Sequence, residues 1–312
     1  MRHVFVVNPM AGKGQFSEKF ISSVKETATG RGLDYSIHIT SAPGEGIEYV
    51  RGEARKAETG DTVRFYSCGG DGTLYEVVNG AASFKNCEVA AVPLGSGNDF
   101  IRLFGTKEEL RDVNVHIDGT PTQLDLIKCG DRYAINQCSM GFDAEVCAKQ
   151  GSFKKLKFLN GESAYTASLL YCFINKMEHE FTITVDDGEP FTTSVIFCVA
   201  GNSRWYGGGY MAAPKAMPND GLLDFIIVKK KMSKLKLLTM INGYKNGQHL
   251  DWDVTTFVRG KKLNIKSPEL AAVNIDGETE YVNESTFEII EKGITFVLPK
   301  GTSFDPNAPA EQ

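Results

Sequence analysis

The chain has no cysteine pair spaced C-x-x-C. Its seven cysteines, at 68, 87, 129, 138, 147, 172 and 198, are scattered and odd in number. This speaks against a zinc site or a disulfide framework and points to a reducing compartment. No apolar run reaches the ~20 residues of a membrane-spanning helix. The longest such stretches fall near 164–174 and 195–200. The opening Arg2-His3-Val4-Phe5-Val6-Val7-Asn8-Pro9 reads as a strand entering a turn, without the charged and apolar regions of a signal peptide. Positive charge is not in excess. The 34 Lys and Arg stand against 39 Asp and Glu, a formal charge of −5, which excludes a generally basic nucleic-acid binder. The histidines, His3, His38, His116, His179 and His249, share no ligand spacing. There is no internal repeat and no low-complexity tract.

What is present is a globular composition, 42% hydrophobic and 23% charged, over 312 residues, a length suited to two domains. Glycine is abundant at 32 residues. The first third alternates strand and helix: a strand at Val4–Val7, a helix at Phe16–Thr29, a strand at Asp34–Ile39 and a helix at Gly46–Ala57. A strand at Thr62–Ser67, a helix at Leu74–Ala82 and a strand at Glu88–Val92 follow. That order predicts a parallel sheet with crossover helices. From Leu124 onward short strands dominate, at 125–128, 132–136, 181–185, 192–199, 222–228, 263–267, 280–282, 287–290 and 294–298, with helices near Ser163–Lys176 and Ser233–Asn246. The expected architecture is an α/β parallel-sheet nucleotide domain over 1–123 and a mostly antiparallel β-sandwich domain over 124–300. A frayed tail is expected over 301–312.

Three glycine turns follow strands. Asn8-Pro9-Met10-Ala11-Gly12-Lys13-Gly14 lacks the spacing of a Walker A loop. Gly69-Gly70-Asp71-Gly72-Thr73-Leu74-Tyr75-Glu76 opens a helix, and Pro93-Leu94-Gly95-Ser96-Gly97-Asn98-Asp99-Phe100 follows the next strand. Glycines let the backbone approach a bulky anion, and a helix N-terminus offers unpaired N–H groups to phosphate. Loops from neighbouring parallel strands open at the carboxyl edge of the sheet, where α/β folds bind ligands. Carboxylates among them, Asp71 and Asp99, make sense beside phosphate if a divalent cation is held too. The same segment also fits a plain glycine turn with Asp71 as a helix cap.

In order, these segments resemble the diacylglycerol kinase catalytic-domain family, which includes bacterial soluble diacylglycerol and phospholipid kinases and the sphingosine and ceramide kinases. The resemblance continues through Gly141-Phe142-Asp143-Ala144, Ala213-Pro214-Lys215-Ala216, Asp220-Gly221-Leu222-Leu223-Asp224 and Asp276-Gly277-Glu278, and so covers almost the whole chain. It implies a two-domain lipid kinase using ATP and Mg²⁺. By resemblance, Asn8, Pro9, Met10, Ala11, Gly12, Thr40, Gly69, Gly70, Asp71, Gly72, Thr73, Leu74, Tyr75 and Ser96 contact ATP, with Ser96 standing where the family often has Thr. Glu278 is the implied general base, and Asp71, Asp99 and Asp125 match acids linked to the catalytic Mg²⁺. Met217, Asp220 and Leu222 match a structural cation site, where Met217 and Leu222 would offer carbonyl oxygens. An ordinary turn at Asp220-Gly221 and an exposed turn residue at Glu278 fit the residues as well.

The expected reaction is transfer of the ATP γ-phosphoryl group to a lipid hydroxyl, first of all that of diacylglycerol or a related glycerolipid. The alternatives are an NAD kinase-like enzyme acting on a soluble acceptor and a catalytically inactive lipid- or nucleotide-binding module. Lys229, Lys230, Lys231, Lys234 and Lys236 form a dense cluster that fits either a solvated face or an anionic membrane surface. The expected setting is cytoplasmic and peripheral to a membrane. A lipid substrate is the expected partner, nucleic acid is not, and a homodimer is compatible with the sequence.

Overall fold

The structure is a computed structural model describing residues 1–14, 17–57, 60–154, 178–229 and 234–308. The helix expected near Ser163–Lys176 lies outside the described residues. The chain divides into two compact units, 1–126 with 291–309 and 127–290 with 310–312. The division falls a few residues beyond the expected 123/124. The expected second domain also gives up its last strand segment to the first unit.

The first unit contains β1 (Arg2–Val7), α1 (Ser17–Gly30), β2 (Asp34–Ile39), α2 (Glu45–Ala57), β3 (Val63–Gly69), α3 (Asp71–Ala81), β4 (Cys87–Pro93), the short α4 (Val113–Ile117) and most of β5 (Thr120–Cys129). Strands β4, β3, β1 and β2 lie side by side in that order, all parallel. Every residue of β3 and β4 is buried, as expected of parallel strands covered on both faces. Phe5, Val7, Phe20, Val24, Tyr66 and Val92 pack one core, and Val297 from the chain's end joins them. Thr295 and Phe296 extend the sheet by pairing parallel with Glu88 and Val89 of β4. In the described part of the tail the Phe304 ring packs edge-on to Phe104 at 5.3 Å.

The second unit contains β6 (Arg132–Ala134), β7 (Gln137–Gly141), α5 (Phe142–Lys154), β8 (His179–Val185), β9 (Phe191–Gly201), β10 (Leu223–Lys229), α6 (Lys234–Lys245), β11 (Thr255–Gly260), β12 (Lys262–Ile275) and most of β13 (Glu278–Leu298). Its pairings β11–β10, β10–β9, β9–β7, β7–β12 and β12–β13 are antiparallel. The strand β8 pairs with the first part of both β9 and β12, while β7 pairs with the last part of both. The two long strands are thus shared between two sets of neighbours, and β12 changes register between Lys266 and Ala271.

Two further elements differ from the sequence reading. The three short strands near 280–298 are one strand, β13. Its polar stretches Asn283-Glu284 and Glu291-Lys292 read as breaks in sequence, but Glu284 pairs with Lys266 in the ladder and Lys292 takes φ +52 within the strand. The helix α5 follows Gly141 directly and has too weak an apolar face to show in the sequence. No helix among the described residues is long and apolar enough to cross a membrane.

Candidate functional site

From β1 the chain moves to β2 on one side, then returns to β3 on the other. The carboxyl ends of β1 and β3 therefore form a topological switch point, where loops diverge and ligands of α/β folds bind. Two expected site residues meet there, with Asn8 Nδ2 donating to Thr73 Oγ1 at 3.4 Å. Asn8 Oδ1 accepts the Met10 amide at 2.9 Å and its own amide donates to Cys68 O at 3.0 Å, which fixes the turn through Pro9, Ala11 and Gly12. Met10 is exposed. Thr40 closes the neighbouring strand, its amide donating to Val7 O at 3.0 Å.

Glu76, part of the second glycine segment, has a role the sequence did not disclose. Its carboxylate accepts the Gly44 amide at 2.8 Å and the Gly46 amide at 2.9 Å. A negative side chain thus caps the N-terminal end of α2 and ties the Thr40 loop to α3.

The two main glycine loops are bound to each other. The Gly69 carbonyl accepts hydrogen bonds from Leu94 N at 2.8 Å, Gly95 N at 2.9 Å and Asn98 Nδ2 at 3.0 Å. Asp71 Oδ2 accepts the Asn98 amide and Oδ1 the Asp99 amide, each at 2.7 Å. Glycine is required twice in this contact. A Cβ on Gly95 would run into the Gly70 backbone, and one on Gly97 into the Asp71 carboxylate. The loops leave a small recess lined by Ser67, Gly70, Asp71, Asn98 and Ile101. Gly72 and Ser96 are exposed, while Thr73, Leu74 and Tyr75 are buried against the sheet.

The buried Asp99 accepts Arg102 Nε at 3.0 Å. The buried Asp125 accepts the Lys292 amide at 2.7 Å and so holds the left-handed residue of β13. Among the described residues no three Asp, Glu, His or Cys side chains gather as a metal cage. The structure therefore joins Asp71 to Asp99 but does not make a three-acid cluster with Asp125. Two basic residues outside every motif also reach the second loop. Lys107 Nζ donates to Ser96 O, and Arg111 Nε donates to Pro93 O at 3.3 Å.

In the second unit, Glu278 is the first residue of β13, exposed, directly after the two-residue turn Asp276-Gly277. Ile275 pairs with Glu278 across that turn, whose residues have φ +48 and +102, as tight hairpins require. The turn is pinned. The Asp276 carboxylate accepts the amides of Ile135 and Gln137, each at 2.7 Å, and that of Asn136 at 3.2 Å, while Asn274 Oδ1 accepts the Gly277 amide at 2.8 Å. Near the expected structural cation site, Asp220 Oδ1 accepts the Leu222 amide at 3.0 Å and Oδ2 pairs with Arg259 at 3.0 Å. Arg259 also bonds Asp224 at 2.8 Å. Burial pushes the Asp224 carboxyl up to about 6 against the pull of that guanidinium. Met217 is buried beside Arg204.

A parallel sheet thus presents its glycine loops at the switch point where α/β folds bind ligands, and the β unit that follows carries a pinned acidic hairpin. The diacylglycerol kinase catalytic domain model matches residues 2–129, and the YegS C-terminal NAD kinase beta sandwich-like domain model matches 136–297. The chain belongs to this family of lipid kinases, as the resemblance in its motifs implied, and the expected pairing of an α/β domain with a β-sandwich domain holds. A "Probable lipid kinase YegS-like" of Shewanella frigidimarina is 30% identical over 248 residues, 77% of this chain and 76% of that protein. A protein named diacylglycerol kinase from Staphylococcus carnosus is 29% identical over 305 residues, 95% of this chain and 94% of that one. A crystal structure of a diacylglycerol kinase from Bacillus anthracis shares the fold, with a TM-score of 0.67 at 19% identity over 96% of this chain and 97% of that one.

Proposed function

We propose that this lipid kinase transfers the γ-phosphoryl group of ATP to the hydroxyl of diacylglycerol or a closely related glycerolipid. The observation that carries the reading is the clasp of Asp71 on the second glycine loop. It holds two glycine loops together at one sheet edge, and phosphoryl transfer depends mainly on such positioning and on charge stabilisation. The name of the S. carnosus relative, similar over nearly the full length, supports diacylglycerol as the acceptor.

Mg²⁺ would accompany ATP as the charge that lets phosphates approach Asp71. Each Asp71 oxygen accepts one amide, and a carboxylate oxygen has a second lone pair for such a contact. Glu278 is assigned as the acceptor of the lipid hydroxyl's proton. Its exposure and its pinned turn suit a group that must meet a substrate without local rearrangement. A lipid acceptor also calls for an approach to a membrane surface, for which the Lys229–Lys236 segment supplies positive charge. Lys230 and Lys231 lie outside the described residues.

The test is a panel of diacylglycerol, phosphatidylglycerol, sphingosine and NAD, each offered with labelled ATP, with products separated by thin-layer chromatography. Label in phosphatidic acid is the expected result. Label in NADP alone, or in no product, would remove the assignment.

A further inference from the structure

Lys107 lies outside every motif, yet its ammonium donates to the carbonyl of Ser96, at the exposed tip of the second glycine loop. That loop is the one Asp71 ties to Gly69–Thr73. Its neighbouring cations are engaged differently. Arg102 is held by Asp99 at 3.0 Å, and Arg111 lies 4.0 Å from Glu108. Among the described residues Lys107 has no carboxylate within ion-pair distance, and an ammonium with three donors has used one.

We propose that Lys107 is a binding residue for the phosphate tail of a nucleoside triphosphate, gripping the β- and γ-phosphates as they cross the tip of the second glycine loop. The inference rests on the ATP reading above and adds a residue to it. Asp71 and Asp99 put negative charge beside the path of the phosphates, and a cation that reaches the same loop from outside it helps to offset that charge. Lys107 feels both of those carboxylates, and Arg102 and Arg111 repel it. Partial burial among these cations holds its pKa below the ordinary lysine value. Incoming phosphate relieves both penalties at once. The competing role is structural, with Lys107 only pinning the Ser96 loop.

Calorimetric titration of the full chain with AMP, ADP and ATP separates the two. For wild type, affinity should rise with each added phosphate. Lys107→Met should weaken ATP by about 10–100-fold, the worth of one charge-assisted hydrogen bond, and leave AMP within about twofold. Lys107→Arg, which keeps the charge, should restore most of the ATP affinity. Equal losses for AMP and ATP in Lys107→Met would assign the residue to loop pinning and overturn the proposal, as would an unchanged ATP affinity. Wild type that binds no nucleotide would overturn the ATP reading itself, and the proposal with it.

Discussion

Asp71 and Asp99 are joined through the backbone, the Asp71 carboxylate accepting the Asp99 amide at 2.7 Å while its other oxygen takes the Asn98 amide. Asp71 is therefore a tie between two loops as well as a candidate neighbour of the nucleotide. Asp71→Asn keeps one acceptor and turns an NH₂ toward a backbone N–H. We expect turnover to fall at least 100-fold, consistent with a loss of ~3 kcal/mol of transition-state stabilisation. We also expect a melting temperature several degrees lower, from about 1–2 kcal/mol of lost amide satisfaction. Steady-state kinetics and a melting curve check both; near-wild-type turnover would take the clasp out of the catalytic account.

Asp276 should matter more for stability than its surface turn suggests. Asp276→Ala strips the acceptor from the amides of Ile135, Asn136 and Gln137. The expected cost is about 2–4 kcal/mol in denaturant unfolding of the second unit. Turnover should fall as well, because Glu278 is two residues away. A loss below about 0.5 kcal/mol, the level of a neutral surface change, would contradict the pinned-turn account.

Asp143 supplies a pH signature. Its carboxyl is buried near the Ser139 hydroxyl, and burial raises its pKa from the ordinary 3.8 to about 6. Folding therefore favours the protonated form. Its contribution to stability is fully present below the ordinary value and is lost as pH rises through about 6. Asp143→Asn should gain in melting temperature relative to wild type between pH 4 and 6, with the difference levelling off above about 7. A difference that stays constant across this range would contradict the assignment.

The lysine segment gives a binding prediction. Replacing Lys229, Lys234 and Lys236 by glutamine should weaken sedimentation with anionic vesicles and reduce its salt sensitivity, at about 1 kcal/mol per lysine near the surface. Unchanged sedimentation would leave the cluster as a solvated face.

Much of the fold was legible where local pattern decides it. The strand Asp34–Ile39 has the bounds read from its alternation, and α2 begins one residue before the expected Gly46. The glycine loops announced themselves because only glycine tolerates the contacts of Gly95 with Gly70 and of Gly97 with Asp71. The strand β7 was hidden because Gln137 and Ser139 are polar yet buried, Gln137 bonding to Ser203 O at 3.0 Å. The return of residues 291–309 to the first unit was equally hidden. It depends on pairing between Phe296 and Val89, far apart in sequence, and no local periodicity encodes that. For the same reason the contacts of Glu76 with Gly44 and Gly46 and of Lys107 with Ser96 could not be read from the sequence.

The most direct measurement is label transfer from ATP carrying radioactive phosphorus at either the α- or the γ-position, with diacylglycerol in mixed micelles and extraction into organic solvent. The account predicts lipid-phase label from the γ-position only. Glu278→Gln should lower its rate by about 10²–10⁴-fold, the usual worth of a general base, with the melting curve unchanged. No lipid-phase label from γ-labelled ATP, or a Glu278→Gln rate within a few-fold of wild type, would contradict it.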